Sequence, residues 1–524
     1  MTDADPGTPK RRLSSLYVAV IGVAMVVGAG IFKSPALVAE NAGSADWFFL
    51  VWVAGGLISL LGALCYAELS TAFPHAGGDY HFLRTAYGRR IAFLFAWSRF
   101  AVINTGSIAL LGFVLGDYLN FVWPLGPQGP ALYAASSIML LTLFNLRGVH
   151  GSAGANFSLT GLEALGLILL GVAAVWLIVA GTPPLDPGPA RGDPPTTLGL
   201  ALVFVLLAYG GWSEISTLLA ETRDPRLGMV RGLLLAIGAI TVLYLIANWA
   251  LWRGLGLDGL AASSAPAADL MQVAFGPTAG GVLAIGVATA TITSINATIV
   301  VGARTTYAAA RDWPAIARLA QWEAERGAPV RAILAQSAVA LALVGLGAAT
   351  RQGFATLVDF TAPIFWLFLT GSGLAVIVLR VRRPAAPRVF RTPLYPLTPL
   401  LFAASSAFVL WSSLAYVGVG GLVALLVLLL GGGVLLWMEA GWVEKRQGLE
   451  VPPPPAQSVG LCPGEPLSPG RPRDRDAVDH RRSGFCPDVP GRAHVRRSRA
   501  ARTTRAAGDL LGRRTSAMEP SQHR

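Results

Sequence analysis

Long apolar runs separated by short polar connectors dominate the chain from about residue 14 to residue 439. Crossing a bilayer as a helix takes about 20 apolar residues. Windows of that kind recur about twelve times: near 14–41, 47–71, 90–121, 131–147, 157–181, 197–220, 228–253, 279–303, 331–349, 354–380, 397–417 and 420–439. Basic residues punctuate alternate connectors. Lys10, Arg11 and Arg12 precede the first run, Arg84, Arg89 and Arg90 follow the second, and Arg147 follows the fourth. Arg223, Arg226 and Arg231 follow the sixth run, Arg304, Arg311, Arg318, Arg326 and Arg331 the eighth, and Arg380 to Arg391 the tenth. The connectors of the other side hold only Arg191, Arg253 and Arg351. Basic loops stay in the cytoplasm, so both termini are expected there and the chain is expected in the cell inner (plasma) membrane.

Composition strengthens this picture. Only 13% of the 524 residues are charged and 53% are hydrophobic, whereas soluble proteins carry about a quarter charged residues. The net charge of +12 superficially suits nucleic acid. It lies, however, in alternate connectors and in the Arg-rich tail after Gln447, with no basic face interleaved with aromatics, so nucleic-acid binding is excluded. Cys65 falls inside an apolar run and Cys462 and Cys486 fall in the tail. None sits in a predicted external connector, so no disulfide-linked partner subunit is expected. No cleavable signal peptide is expected, because the first apolar run lacks a small-residue cleavage site and further runs follow. Phosphate-binding loops, zinc motifs and nucleophile elbows are missing. His75, His81 and His150 lack metal-ligand spacing. The reading is therefore of a chain that is not an enzyme, with no cofactor and no metal.

The proline-rich stretch 182–196 divides the first ten runs into two sets of five. With an odd number of spans per set, the second set must run inverted relative to the first, the arrangement of inverted-repeat transporters. The expected organisation is a cytoplasmic segment 1–13, a first five-helix repeat 14–181, an external linker 182–196 and a second five-helix repeat 197–380. A cytoplasmic loop with the last two helices follows over 381–446. The tail 447–524, with its Pro and Arg and few aromatics, cannot bury a core and is expected to be disordered.

Two interruptions carry the chemistry. The first run reads Val26-Val27-Gly28-Ala29-Gly30-Ile31-Phe32-Lys33-Ser34-Pro35 and the sixth Leu207-Ala208-Tyr209-Gly210-Gly211-Trp212-Ser213-Glu214. Glycine pairs and a proline continue a helix poorly. Unpaired backbone groups at membrane depth are expensive unless something polar satisfies them. One such motif alone reads equally well as close helix packing. Matched breaks in corresponding members of two inverted halves point instead to a midplane binding site.

In these residues the chain resembles the amino acid–polyamine–organocation (APC) superfamily, close to bacterial amino acid permeases related to the L-type amino acid transporters. The resemblance rests on a series in order: the first-run motif; Ala67-Glu68-Leu69 with Pro74 and Gly77-Gly78-Asp79-Tyr80; Tyr209-Gly210-Gly211-Trp212 with Glu221 and Arg223-Asp224-Pro225; Ser294-Ile295-Asn296 with Arg304 and Ala309-Ala310-Arg311-Asp312; and Phe390-Arg391-Thr392-Pro393-Leu394-Tyr395-Pro396. It covers about 14–440. The resemblance implies an all-α membrane protein of about 12 transmembrane helices, a LeuT-type 5+5 inverted repeat with broken first and sixth helices.

Carried over by position, it puts a substrate carboxylate on the backbone of Gly28, Ala29 and Gly30 beside Ile31, and the ammonium on carbonyls near Val26, Leu207 and Gly210. Gly211 completes the second break, and Trp212 and Ser213 flank the substrate side chain. Two departures stand out. Relatives often have an aromatic gate where this chain has Leu207. Many also carry Thr-x-x-Lys in the fifth run, where this chain has Thr160-Gly161-Leu162-Glu163.

An intramembrane carboxylate is costly and usually functional; Glu163 is read as a proton-coupling or conformational switch, against a structural hydrogen bond. Glu214, just past the second break, is a coupling or gating candidate that faces substrate or pairs with Arg99. Lys33 is expected to snorkel outward. Asn104 and Asn296 line the cavity or join helices, and Glu68 and Glu221 are assigned to a gate network. The expected function is secondary transport of an amino acid by alternating access, by exchange or proton symport. A polyamine or organic cation carrier and a transporter-like amino acid sensor are the alternatives.

Overall fold

A computed structural model of the chain describes residues 19–20, 22–23, 26–75, 77–147, 153–183, 192–213, 227–323, 326–350, 352–416 and 418–447. Glu214, Glu221, Arg223 and the tail past Gln447 lie outside them. The described chain is helical almost throughout. After the first break come α1 (Ser34–Ala42), α2 (Ala45–Ala72), α3 (Gly78–Tyr87) and α4 (Arg89–Ser98). A π-helical segment Arg99–Asn104 joins α4 to α5 (Thr105–Val122), followed by α6 (Gly129–Leu146) and α7 (Ala153–Val179). The second half comprises α8 (Leu198–Ala208), α9 (Leu227–Ala262), α10 (Pro266–Phe275), α11 (Pro277–Asp312), α12 (Val330–Thr350) and α13 (Gly353–Arg382). α14 (Leu397–Ala415) and α15 (Val419–Gln447) close the chain. Nine of the described helical runs are long and apolar enough to cross a membrane, and two shorter apolar helices lie at Glu163–Val179 and Leu198–Ala208. With the interrupted first run, described only in part, they account for the twelve spans read from the sequence.

Helix limits follow local chemistry. α2 begins at Ser44, whose Oγ accepts a hydrogen bond from the Trp47 N–H, with Asp46 in the first turn where the helix dipole favours an anion. It stops at Phe73, ahead of Pro74. α10 and α11 each start on a proline, at the position where the missing N–H costs nothing. Two spans are longer than their apolar windows suggest. α9 continues past residue 253 through a kink at Gly256 (φ 69°), and α11 extends beyond residue 303 to Asp312. Polar residues end an apolar window but not a helix whose backbone bonds are already satisfied.

Two short helices outside the spans reveal the internal repeat. α3, between the second and third spans, and α10, between the seventh and eighth, are each 10 residues long. Each ends on a glycine that also caps the next helix, Gly88 (φ 93°, ψ −175°) and Gly276 (φ 89°, ψ 175°). The sequences GDYHFLRTAY and PAADLMQVAF share almost nothing, yet the left-handed glycine turns them back identically. α3 packs on α13 and α10 packs on α7, so each lies against the last span of the opposite half. The spans pair correspondingly: α1 with α8, α2 with α9, α5 with α11 and α6 with α12. Because α2 runs away from the linker side towards α3, and α9, packed against α2, ends at α10, the short helices α3 and α10 lie at opposite ends of the bundle.

Candidate substrate site

At the first break the helix stops after Val26. The Val27 N–H still bonds to Val23 O (2.8 Å), but Gly28 is extended (φ −146°, ψ 178°). A 3-10 turn, Ala29–Phe32, then leads through Lys33 into α1. The first bond of that turn runs from the Ile31 N–H to Gly28 O (3.3 Å). The N–H groups of Gly28, Ala29 and Gly30 precede it, at the start of the turn, where a helix has no preceding turn to supply its own donors with partners. Any residue can adopt the extended backbone of Gly28, and a Cβ built at Gly28 or Gly30 meets nothing closer than 4.0 Å. What the glycines provide is a main chain bare towards the cavity.

The second break is built differently. α8 ends at Ala208, and the N–H groups of Tyr209 and Gly210 bond back to Val205 O (3.0 Å) and Leu207 O (3.1 Å). Gly211 then takes φ +103°, a conformation that side chains resist. A Cβ at Gly210 would lie 3.0 Å from Leu207 O. Here the backbone itself demands glycine. Tyr244 of α9, fully buried, places its hydroxyl 3.2 Å from Val26 O and 3.0 Å from Ala208 O. One hydroxyl proton is thus shared between the terminal carbonyls of the two interrupted helices.

A cavity of about 510 Å³ opens on both breaks. Val26, Gly28, Ala29, Gly30, Leu207, Gly210, Gly211, Ser213 and Glu163 all line it. Two of the predicted residues do not. Ile31 is buried in the core, and Trp212 lies edge-on between Tyr66 (5.2 Å) and Phe402 (5.8 Å) above Gly62, where a Cβ would collide with the indole. Glu163, 5% exposed, accepts a hydrogen bond from Ser294 Oγ at 3.4 Å. The cavity extends towards the α3 side, where Asp79 lines it while accepting hydrogen bonds from the Tyr66 hydroxyl and Ser372 Oγ. Arg99, on the π-helical segment, also lines it; such segments recur at functional sites. Asn104 faces the cavity and bonds Thr305 Oγ1 (3.5 Å), whereas Asn296 accepts from Asn145 (2.7 Å) and joins two helices.

Tyr244, Asp79 and Arg99 were not singled out from the sequence as site residues. Arg99 carried a usable signal, an ionisable group inside an apolar run. Tyr244 carried a weaker one, a polar tip four residues from Asn248 in an otherwise apolar stretch.

On the α10 side the breaks are covered. Phe32 is buried and its carbonyl accepts from the Tyr118 hydroxyl (2.8 Å). Lys33, rather than snorkelling outward, pairs with Asp117 at 2.8 Å, with side chains 12% and 14% exposed, and donates to Ser264 O (2.9 Å). A separate cavity of about 630 Å³ lies on that side, lined by Lys33 and Asp117. On the α3 side, Glu68 receives a two-pronged bond from Arg380 (2.7 and 2.6 Å) and the Thr392 N–H (2.7 Å). The Phe390–Pro396 segment thereby clamps the end of α2 to the end of α13. His75 and His81 stack at 4.3 Å, and among the described residues no cluster of metal-binding side chains occurs.

A bundle of membrane-crossing helices, two of them interrupted face to face around a cavity, defines a multi-pass membrane carrier of small solutes. The chain belongs to the amino acid permease family, whose model matches residues 13–434. It is 30% identical over 454 residues to the Large neutral amino acids transporter small subunit 2 of Oryctolagus cuniculus, covering 83% of this chain and 82% of that protein. It is 28% identical over 449 residues to the Asc-type amino acid transporter 1 of Mus musculus, with 83% and 82% covered. The b(0,+)-type amino acid transporter 1 of Mus musculus is 26% identical over 394 residues, with 74% and 79% covered. The protein is a secondary amino acid transporter.

Proposed function

We propose that the chain carries neutral amino acids across the plasma membrane by alternating access, with both termini cytoplasmic. The observation behind this reading is that one cavity is lined by the backbone of Gly28, Ala29 and Gly30 and by the carbonyl ends of both interrupted helices. Main-chain donors suit a carboxylate and carbonyls suit an ammonium. Any amino acid offers both groups, so the clamp is generic and the remaining lining selects the side chain. Leu207, Leu110, Phe365 and Ser213 supply apolar and hydroxyl surface, which suits an uncharged side chain. A polyamine would need acidic groups; of the described lining carboxylates, Asp79 is engaged by Tyr66 and Ser372 and Glu163 by Ser294. The likeness to a protein named as a large neutral amino acids transporter agrees with this choice.

Orientation follows from the basic connectors, and it makes the α3 side the cytoplasmic one. The cavity then faces inward while the Lys33–Asp117 pair covers the outer side. Glu163 serves as the coupling switch: it sits at the cavity wall beside the first break, and a carboxylate there takes a proton when substrate loads and releases it on the other side.

The test is uptake of a panel of labelled amino acids into proteoliposomes, with and without a pH gradient, sodium or internal amino acid. Neutral amino acids should accumulate, and uptake should rise as the outside is acidified. Glu163→Gln should flatten that pH profile while sparing exchange; an unchanged profile removes Glu163 from coupling. Binding without counterflow would make the chain a sensor instead.

A further inference from the structure

A second opening lies beside the substrate cavity, between α7 and α11. Helical spacing puts Glu163, Gly166 and Leu169 along one face of α7, opposite Ala279, Leu283, Gly286 and Ala290 along α11. Glycine and alanine are too short to fill the space between the two backbones, and a crevice of about 510 Å³ is left. Its outer rim carries Leu165, Val282 and Phe275, all exposed, on the faces that also expose Ile168 and Ile285. Its inner end touches Phe32 and Glu163. Glu163 lines the substrate cavity as well, and Phe32 belongs to the turn that carries Gly30. The crevice is therefore an apolar gap in the wall of the transport site.

We infer that one hydrocarbon chain of a bilayer lipid, from the leaflet on the α10 side, occupies this crevice and completes the wall beside Glu163 and Phe32. Three observations lead to this occupant. The crevice opens sideways onto exposed apolar faces of membrane-spanning helices, so hydrocarbon surrounds its mouth. Its lining is apolar apart from Glu163 and Thr278, so water has few polar partners there, whereas an empty gap forfeits contacts on every side. Its length fits: the 12 steps from Thr278 to Ala290 span about 18 Å at 1.5 Å per residue, close to the ~15 Å half-thickness of a bilayer's hydrocarbon. A lipid chain entering beside α10 thus ends near Glu163 at mid-depth. The inference rests on the membrane placement of α7 and α11, and stands whether or not Glu163 moves protons.

The full chain, reconstituted in phosphatidylcholine carrying a diazirine at the terminal carbon of one acyl chain, tests it by photolysis and mass mapping of adducts. Adducts should concentrate on residues 163–169 and 286–290. A Cβ at Gly286 meets nothing within 4 Å, so Gly286→Leu can direct its side chain into the crevice, and should cut this labelling roughly tenfold, the weight of two buried methylenes. Gly238, equally open and on an exposed stretch of α9, gives the control Gly238→Leu, which should label as the parent does. Retained binding of labelled amino acid shows that Gly286→Leu is folded, and Gly286→Val serves the same purpose if it is not. Adducts spread evenly over exposed faces, undiminished labelling in the filled variant, or an equal loss in the control would overturn the inference. So would preferential labelling of the crevice by a water-soluble carbene reagent.

Discussion

The two breaks use glycine for opposite reasons. At Gly28 and Gly30 the backbone lies where any residue is comfortable and a side chain would find room, so glycine there serves access. At Gly211 the backbone turns to φ +103°, so glycine there serves conformation. The first break presents N–H groups to the cavity; the second presents a helix end whose last carbonyl already shares the Tyr244 hydroxyl with Val26. Equivalent positions in two inverted halves have thus divided the work between binding and shaping.

The sharpest way to separate those roles is to add side chains at each break. Gly28→Val should leave folding intact, because its Cβ faces open space, but should place a branched side chain where the carboxylate approaches. Loss of two charge-assisted hydrogen bonds at about 1.5–3 kcal/mol each corresponds to a fall of more than a hundredfold in apparent affinity. Labelled uptake reads the loss, and an unshifted thermal unfolding midpoint reads the intact fold. A variant that unfolds instead would contradict the access reading. Gly211→Ala should do the reverse. Forcing a Cβ into that conformation costs about 1–2 kcal/mol, so the unfolding midpoint should fall while KM of the folded fraction changes little. A normal midpoint with a weakened KM would move Gly211 from shaping to binding.

How much of this division was legible beforehand depends on the kind of signal. The spans were legible because about 20 apolar residues leave few alternatives, and the breaks were legible because Gly-Ala-Gly and Tyr-Gly-Gly-Trp stand out within such runs. The direction of side chains was not. Trp212 adjoins the break in sequence, yet its indole turns away to fill the space above Gly62 between Tyr66 and Phe402. That destination is set by residues about 150 and 190 positions away, and local order carries no trace of it. Lys33 likewise read as a snorkelling side chain because its partner Asp117 lies on another span. α3 and α10 were overlooked because ten residues are too few for a span, and their likeness lies in Gly88 and Gly276 rather than in matching side chains.

Tyr244 offers the subtlest test, because it belongs to neither break and touches both. If its hydroxyl ties the helix ends together, Tyr244→Phe keeps the ring, with its edge-on contacts to Trp52 and Tyr209, and removes only the bridge. The carbonyls of Val26 and Ala208 would then relax independently, and the donors and acceptors of the clamp would lose their fixed spacing. A net hydrogen bond of about 1 kcal/mol predicts a rise of roughly fivefold in KM with little change in stability. Combining the substitution with Gly28→Ala sharpens the comparison further. If the bridge acts by setting the first break against the second, the two effects should be less than additive, since a clamp already obstructed on one side gains little from correct spacing. Strict additivity would reduce Tyr244 to a packing residue and leave the two breaks mechanically independent.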